Sequence, residues 1–108
     1  MDRLAEQKCI PCRGGVPPLD EEGIRRLREQ VPEWEVVEDH HLRRTFQTGD
    51  FAGALDLANR IGALAEEQWH HPDLHVSWGR VGVEIWTHKI DGLTESDFIF
   101  AAKSDQVL

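Results

Sequence analysis

The chain has 108 residues and a mass of 12.3 kDa, room for a single compact domain. Twenty acidic residues against twelve basic ones give a net charge of −8 and a pI near 5.1, which repels phosphate backbones and argues against nucleic acid as a partner. No apolar run approaches the roughly 20 residues of a membrane helix, the opening MDRLAEQK lacks the apolar core of a secretion signal, and two cysteines cannot build a disulfide framework, so no membrane contact and a cytoplasmic setting are expected.

Residues 1–18, ending RGGVPPL, are rich in Gly, Pro and Arg and read as an irregular N-terminal arm, leaving 19–108 as one domain. Asp20 has the character of an N-cap, with Glu21 and Glu22 in the first turn and Arg25, Arg26 and Arg28 following, an order that suits the helix dipole. Ile24, Leu27 and Val31 supply an apolar stripe, and Pro32 closes the helix. Trp34 to Val37 and Leu42 to Gln47 are two strand-like runs around a polar EDHH stretch, which predicts a hairpin. Thr48 or Asp50 caps a second helix from Phe51 to about His70, whose apolar face is predicted at Phe51, Leu55, Ala58, Ile61 and Ala65. Small residues crowd this helix and allow close approach to a sheet or a partner; Pro72 ends it.

Leu74, Val76 and Trp78 alternate with His75 and Ser77 in a third strand, Gly79-Arg80 fits a tight turn, and Val81, Val83, Ile85 and Thr87 alternate with Gly82, Glu84, Trp86 and His88 in a fourth. Thr94-Glu95-Ser96-Asp97 has the form of a capping box opening a last helix with Phe98, Ala101 and Ala102 inward. The order α-β-β-α-β-β-α predicts an α+β fold, two-layer, with a four-stranded antiparallel sheet and helices packed on one face.

Six histidines and four tryptophans stand beside no tyrosine. His70-His71-Pro72 falls at a predicted helix C-terminus, where the dipole favours a protonated imidazole. Glu66 lies four residues before His70, and Glu67 four before His71, where a carboxylate can orient each ring. His88 lies at the end of the fourth strand, before a loop. Imidazoles gathered in this way suit general acid–base catalysis. Against this, a histidine pair before proline is often only a polar helix end, and the alternative for Asp97 is a capping-box role alone. A metal site would want the i, i+4 spacing of a zinc helix, which adjacent histidines lack. His40, His41 and His75 are expected to be solvated, and Cys9 and Cys12 form a CxxC without the strand–helix unit or further ligands that redox or zinc chemistry requires.

The stretch AEEQWHHPDLHVSWGRVGVEIWTHKIDGLTESDF, residues 65–98, resembles the core of the pterin-4a-carbinolamine dehydratases (4a-hydroxytetrahydrobiopterin dehydratases). Glu66, His70, His71, Pro72, Trp78, Thr87, His88, Gly92, Leu93, Thr94 and Asp97 match the family pattern, and HHP followed by THxxxGLTxxD is a specific combination. Trp34 matches a tryptophan usual near the first strand, and the arm KCIPCRGGVPPL resembles a segment found in bacterial members. The resemblance covers about residues 19–105.

This resemblance implies a hydro-lyase that dehydrates 4a-hydroxytetrahydropterin to quinonoid dihydropterin in tetrahydrobiopterin recycling, with no metal or other cofactor. It implies catalytic roles for His70, backed by Glu66, and for His88, on opposite sides of carbon 4a, with His71 holding the hydroxyl. Asp97, Thr87 and Pro72 are expected near the pterin's polar edge, with Trp34 and Trp78 as aromatic walls. Trp69 and Trp86 stand where the family commonly has smaller or more polar residues. A homodimer or homotetramer is expected as in the family. The alternative is a non-catalytic interaction, assembly or transcription-coactivator protein of the same fold; the intact histidines with Glu66 favour the enzyme.

Overall fold

A computed structural model of the chain describes residues 3–7 and 17–107; the CxxC of Cys9 and Cys12 and most of the arm lie outside them. Within the arm, Leu4–Glu6 form a 3-10 turn rather than irregular chain, with Leu4 buried and its N–H donating to Gln30 Oε1 at 2.9 Å.

Asp20 caps α1 (Glu21–Arg28), accepting from the Gly23 N–H at 2.8 Å. The helix stops at Arg28, ahead of Pro32, so Val31 is buried from a turn rather than from the helix. The hairpin follows as β1 (Glu35–Val37) and β2 (His41–Gln47). Its turn is unusual. The His40 N–H bonds the Val37 carbonyl at 2.9 Å, and both central residues, Glu38 and Asp39, are left-handed with φ of 52° and 54°. Hairpin turns of that hand match the twist of the strands but normally employ Asn or Gly.

The second helix, α2 (Phe51–Gln68), takes its N-cap from Asp50, not Thr48: Asp50 accepts from the Gly53 N–H at 2.7 Å. Its buried face is Ala54, Leu57, Ile61 and Ala65, which corrects the predicted stripe: Phe51 and Leu55 are each 45% exposed. Two overlapping stripes share Ile61 and Ala65, and three- and four-residue spacing cannot choose between them. The helix also ends two residues before His70. Trp69 adopts φ 53° and ψ 41°, and the His70 N–H reaches back to the Ala65 carbonyl at 3.2 Å. That is a Schellman-type ending with tryptophan where glycine is usual.

β3 (Asp73–Ser77) and β4 (Arg80–Ile85) make the second hairpin, and Gly79, with φ of 77°, meets the turn's need for a left-handed residue. Thr94 and Asp97 form the expected capping box of α3 (Glu95–Asp105). The sheet is antiparallel throughout in the order β1-β2-β4-β3. Leu42, Phe46, Val81, Val83 and Ile85 line its covered face, while Arg43, Thr45, His75, Gly82 and Glu84 lie on the other. The α+β expectation therefore holds. The α3 helix contacts β2, β4, both other helices and the Leu4–Glu6 turn, and accordingly buries every residue from Ser96 to Ala102. Among the described residues no helix is long and apolar enough to cross a membrane.

Candidate active site

The left-handed Trp69 turns the chain sharply at the end of α2, and this decides where the two adjacent histidines go. His70 swings under the helix layer, where it is 9% exposed, and its Nε2 lies 2.6 Å from Asp97 Oδ1. His71 stays outside, with Nε2 2.5 Å from Glu66 Oε2. The expected partnership of Glu66 with His70 is thus replaced. Glu66 orients His71, and Asp97 orients His70, because His70 lies beyond the last helical turn and no longer shares a face with Glu66. Glu67 is bonded by Gln68 and not by His71.

Asp97 is fully buried, and both of its oxygens are occupied. Oδ1 meets His70; Oδ2 accepts from the Thr87 hydroxyl at 2.9 Å and from the Thr94 N–H at 2.8 Å. An ionised carboxylate only accepts, so His70 carries its proton on Nε2 and keeps Nδ1 as the nitrogen able to take or give one. The capping box of α3 therefore does two things: it starts the helix and fixes the orientation of the His70 imidazole. The edge of Phe100, with ring centroids 6.2 Å apart and planes at 77°, packs against the same ring.

His88 approaches from the other side. The alternation of β4 continues past Ile85, sending Thr87 inward to Asp97 and leaving Trp86 and His88 outside, with ring centroids 4.5 Å apart. The loop that follows is closed at its base, where the Thr87 N–H bonds the Gly92 carbonyl at 2.9 Å. Gly92 also admits Pro18: a Cβ there would stand 2.9 Å from the proline Cβ.

Between these two groups lies a cleft of about 290 Å³, lined by Trp69, His70 and His71 on one wall and by Trp86, Thr87, His88 and Lys89 on the other. Three candidate histidines thus meet at one opening. Thr87 lines the same cleft and Glu66 holds His71 at its edge, but Trp34, Trp78, Pro72 and Asp97 do not line it. Trp34 is fully buried in the core, its indole N–H donating to Asp105 Oδ1 at 2.8 Å, and so is no substrate wall. Trp78 is 73% exposed in the β3–β4 turn, away from the cleft. Pro72 follows His71 but does not line the cleft, and Asp97 lies beneath it rather than on its surface. The aromatic walls are instead Trp69 and Trp86. Trp86 and Lys89 were within reach of sequence reasoning, flanking Thr87-His88 directly. Trp69 was not, since its position depends on a left-handed turn that no glycine announces. Among the described residues no group of three or more His, Cys, Asp or Glu side chains is arranged to hold a metal ion.

Comparison with known proteins points to one family. Residues 17–107 match the family model described as pterin 4 alpha carbinolamine dehydratase. A protein of Rubrobacter xylanophilus named "Putative pterin-4-alpha-carbinolamine dehydratase" is 60% identical over 107 residues, 99% of this chain and 100% of its own. A protein of Alkaliphilus metalliredigens with the same name is 54% identical over 98% of this chain and 96% of its own. The crystal structure of a transcriptional coactivator/pterin dehydratase from Brucella melitensis superposes with a TM-score of 0.78 at 27% identity, covering 83% of this chain and 97% of the other. A family match over residues 17–107 and 60% identity to a full-length relative establish that the chain belongs to the pterin 4 alpha carbinolamine dehydratase family.

Proposed function

We propose that the protein dehydrates a 4a-hydroxytetrahydropterin to the quinonoid dihydropterin and water, in the recycling of tetrahydrobiopterin. The carbon 4a–oxygen bond breaks, the hydroxyl leaves as water after gaining a proton, and N5 gives up its proton as the C4a=N5 double bond forms. Oxidation state does not change overall and no group is transferred, so paired proton transfer is the whole of the chemistry and no cofactor is required. Such transfer by placed side chains is worth about 10²–10⁴-fold in rate.

The observation that carries this reading is the meeting of three imidazoles in one cleft, two of them held by carboxylates. His70, fixed by Asp97 and Thr87, and His88, on the facing wall beside Trp86, serve as the proton donor and acceptor. His71, held by Glu66, steadies the hydroxyl. Trp69 and Trp86 offer flat apolar surface to a flat heterocycle. A cytoplasmic homo-oligomer completes the proposal, its contact supported by exposed Phe51 and Leu55 beside the small residues of α2. The direct test is the rate at which freshly generated 4a-hydroxytetrahydropterin loses water with and without the protein. A catalyst accelerates that loss; a non-catalytic coactivator or assembly protein of the same fold leaves it at the buffer rate.

A further inference from the structure

His40 and His41, expected to be solvated, are not idle. The His40 ring lies 5.4 Å from that of Trp86 and the His41 ring 5.8 Å, both tilted, so the hairpin backs the indole that packs, also at a tilt, against His88. His40 makes a second connection: its Nε2 lies 2.7 Å from Asp91 Oδ1. Asp91 belongs to the loop that begins with His88 and closes at Gly92, and its own N–H bonds the His88 carbonyl at 3.2 Å. His41 in turn is anchored, with Nδ1 3.1 Å from His40 Nδ1 and Nε2 3.3 Å from Glu84 Oε2, while Glu84 also holds His75 at 3.0 Å.

Backbone strain converges on the same contact. Glu38, Asp39 and Asp91 are three of the four described non-glycine residues with positive φ, and they bracket the His40–Asp91 bond from both sides. Left-handed backbone in such residues persists only where surrounding contacts enforce it, and it concentrates at sites that need fixed geometry.

We infer that His40 is a positioning residue for His88, acting through its bond to Asp91 and its packing on Trp86. The inference rests on the proposed dehydration for its catalytic consequence but not for its structural one. With the loop closed at its base by Thr87 and Gly92, the His40 contacts hold the far corner and the indole packed against His88. Without them His88 keeps its place in the chain but loses its aim across the cleft. Small misplacements of a reacting group carry large rate penalties.

The test compares His40→Ala with wild type by ring resonances in NMR spectra and by steady-state kinetics, each also in a His88→Ala background. Movement of the Trp86 indole and His88 imidazole signals is expected, with the buried Trp34 indole unmoved as the mark of an intact fold. A fall in kcat of about tenfold at nearly unchanged KM is expected in the native background, and no more than about twofold further loss when His88 is already absent. Asp91→Gly removes the acceptor, suits the left-handed backbone and should shift the same two rings without touching the hairpin. Unmoved His88 signals in both variants overturn the inference, and so does an equal rate loss with and without His88. The spectra do not depend on turnover. An inactive wild type with shifted His88 signals defeats the proposed dehydration and leaves the positioning standing.

Discussion

Asp97 satisfies three donors from two oxygens in a site without solvent, so its replacement separates charge from shape. Asparagine keeps the volume but offers one acceptor and turns the other position into a donor facing groups that also donate. Leaving such buried partners unpaired costs about 1–3 kcal/mol. Asp97→Asn is therefore expected to lower unfolding free energy by that amount in urea titrations, and to slow dehydration further than the stability loss explains, because His70 loses the carboxylate that fixes its tautomer. Trp34→Phe is the converse case. It forfeits the bond to Asp105 and some core volume, about 1–3 kcal/mol of stability, yet should leave kcat/KM unchanged, since the indole is remote from the cleft. A large kinetic effect from Trp34→Phe would return that residue to the site.

At the scale of elements, α2 carries the clearest discrimination. Leu57 packs inward and Leu55 is half exposed, so Leu57→Ala should cost about 2–5 kcal/mol while Leu55→Ala stays within about 0.5 kcal/mol, compared by denaturant melts at low protein concentration. Much of the architecture was legible beforehand. Alternation in β4, the Asp20 cap, a cap for α2 at Thr48 or Asp50 and the Thr94–Asp97 box are local signals, and local signals settle element type. The face of α2 was not legible, because it is chosen by the sheet it packs on. Nor were the partners of His70 and Glu66, because the left-handed ending at Trp69 diverts the chain where helical spacing would have carried it straight on. His70, His71 and His88 were legible as a motif. That His40 reaches Asp91, 51 residues along the chain, is visible only once β1–β2 and the 87–92 loop are side by side.

For the whole molecule, the two-layer arrangement brings the end of α2 and the end of β4 to one edge of the domain, where helix layer and sheet together frame the cleft. The far side of α2 keeps Phe51 and Leu55 in contact with solvent, and a net charge of −8 would not by itself prevent association through such an apolar stripe. Light scattering is expected to report a dimer or tetramer, and Phe51→Glu with Leu55→Glu to lower the mass; a wild-type monomer at every concentration would contradict the oligomer. Proton transfer at the cleft is what separates a dehydratase from a non-catalytic protein of this fold. The measurement that tests it most directly is the dehydration rate of 4a-hydroxytetrahydropterin with wild type, His70→Ala and His88→Ala. The predicted result is clear acceleration by wild type and a loss of about 10²–10⁴-fold in each variant. A wild-type rate equal to buffer, or full activity after both substitutions, would contradict it.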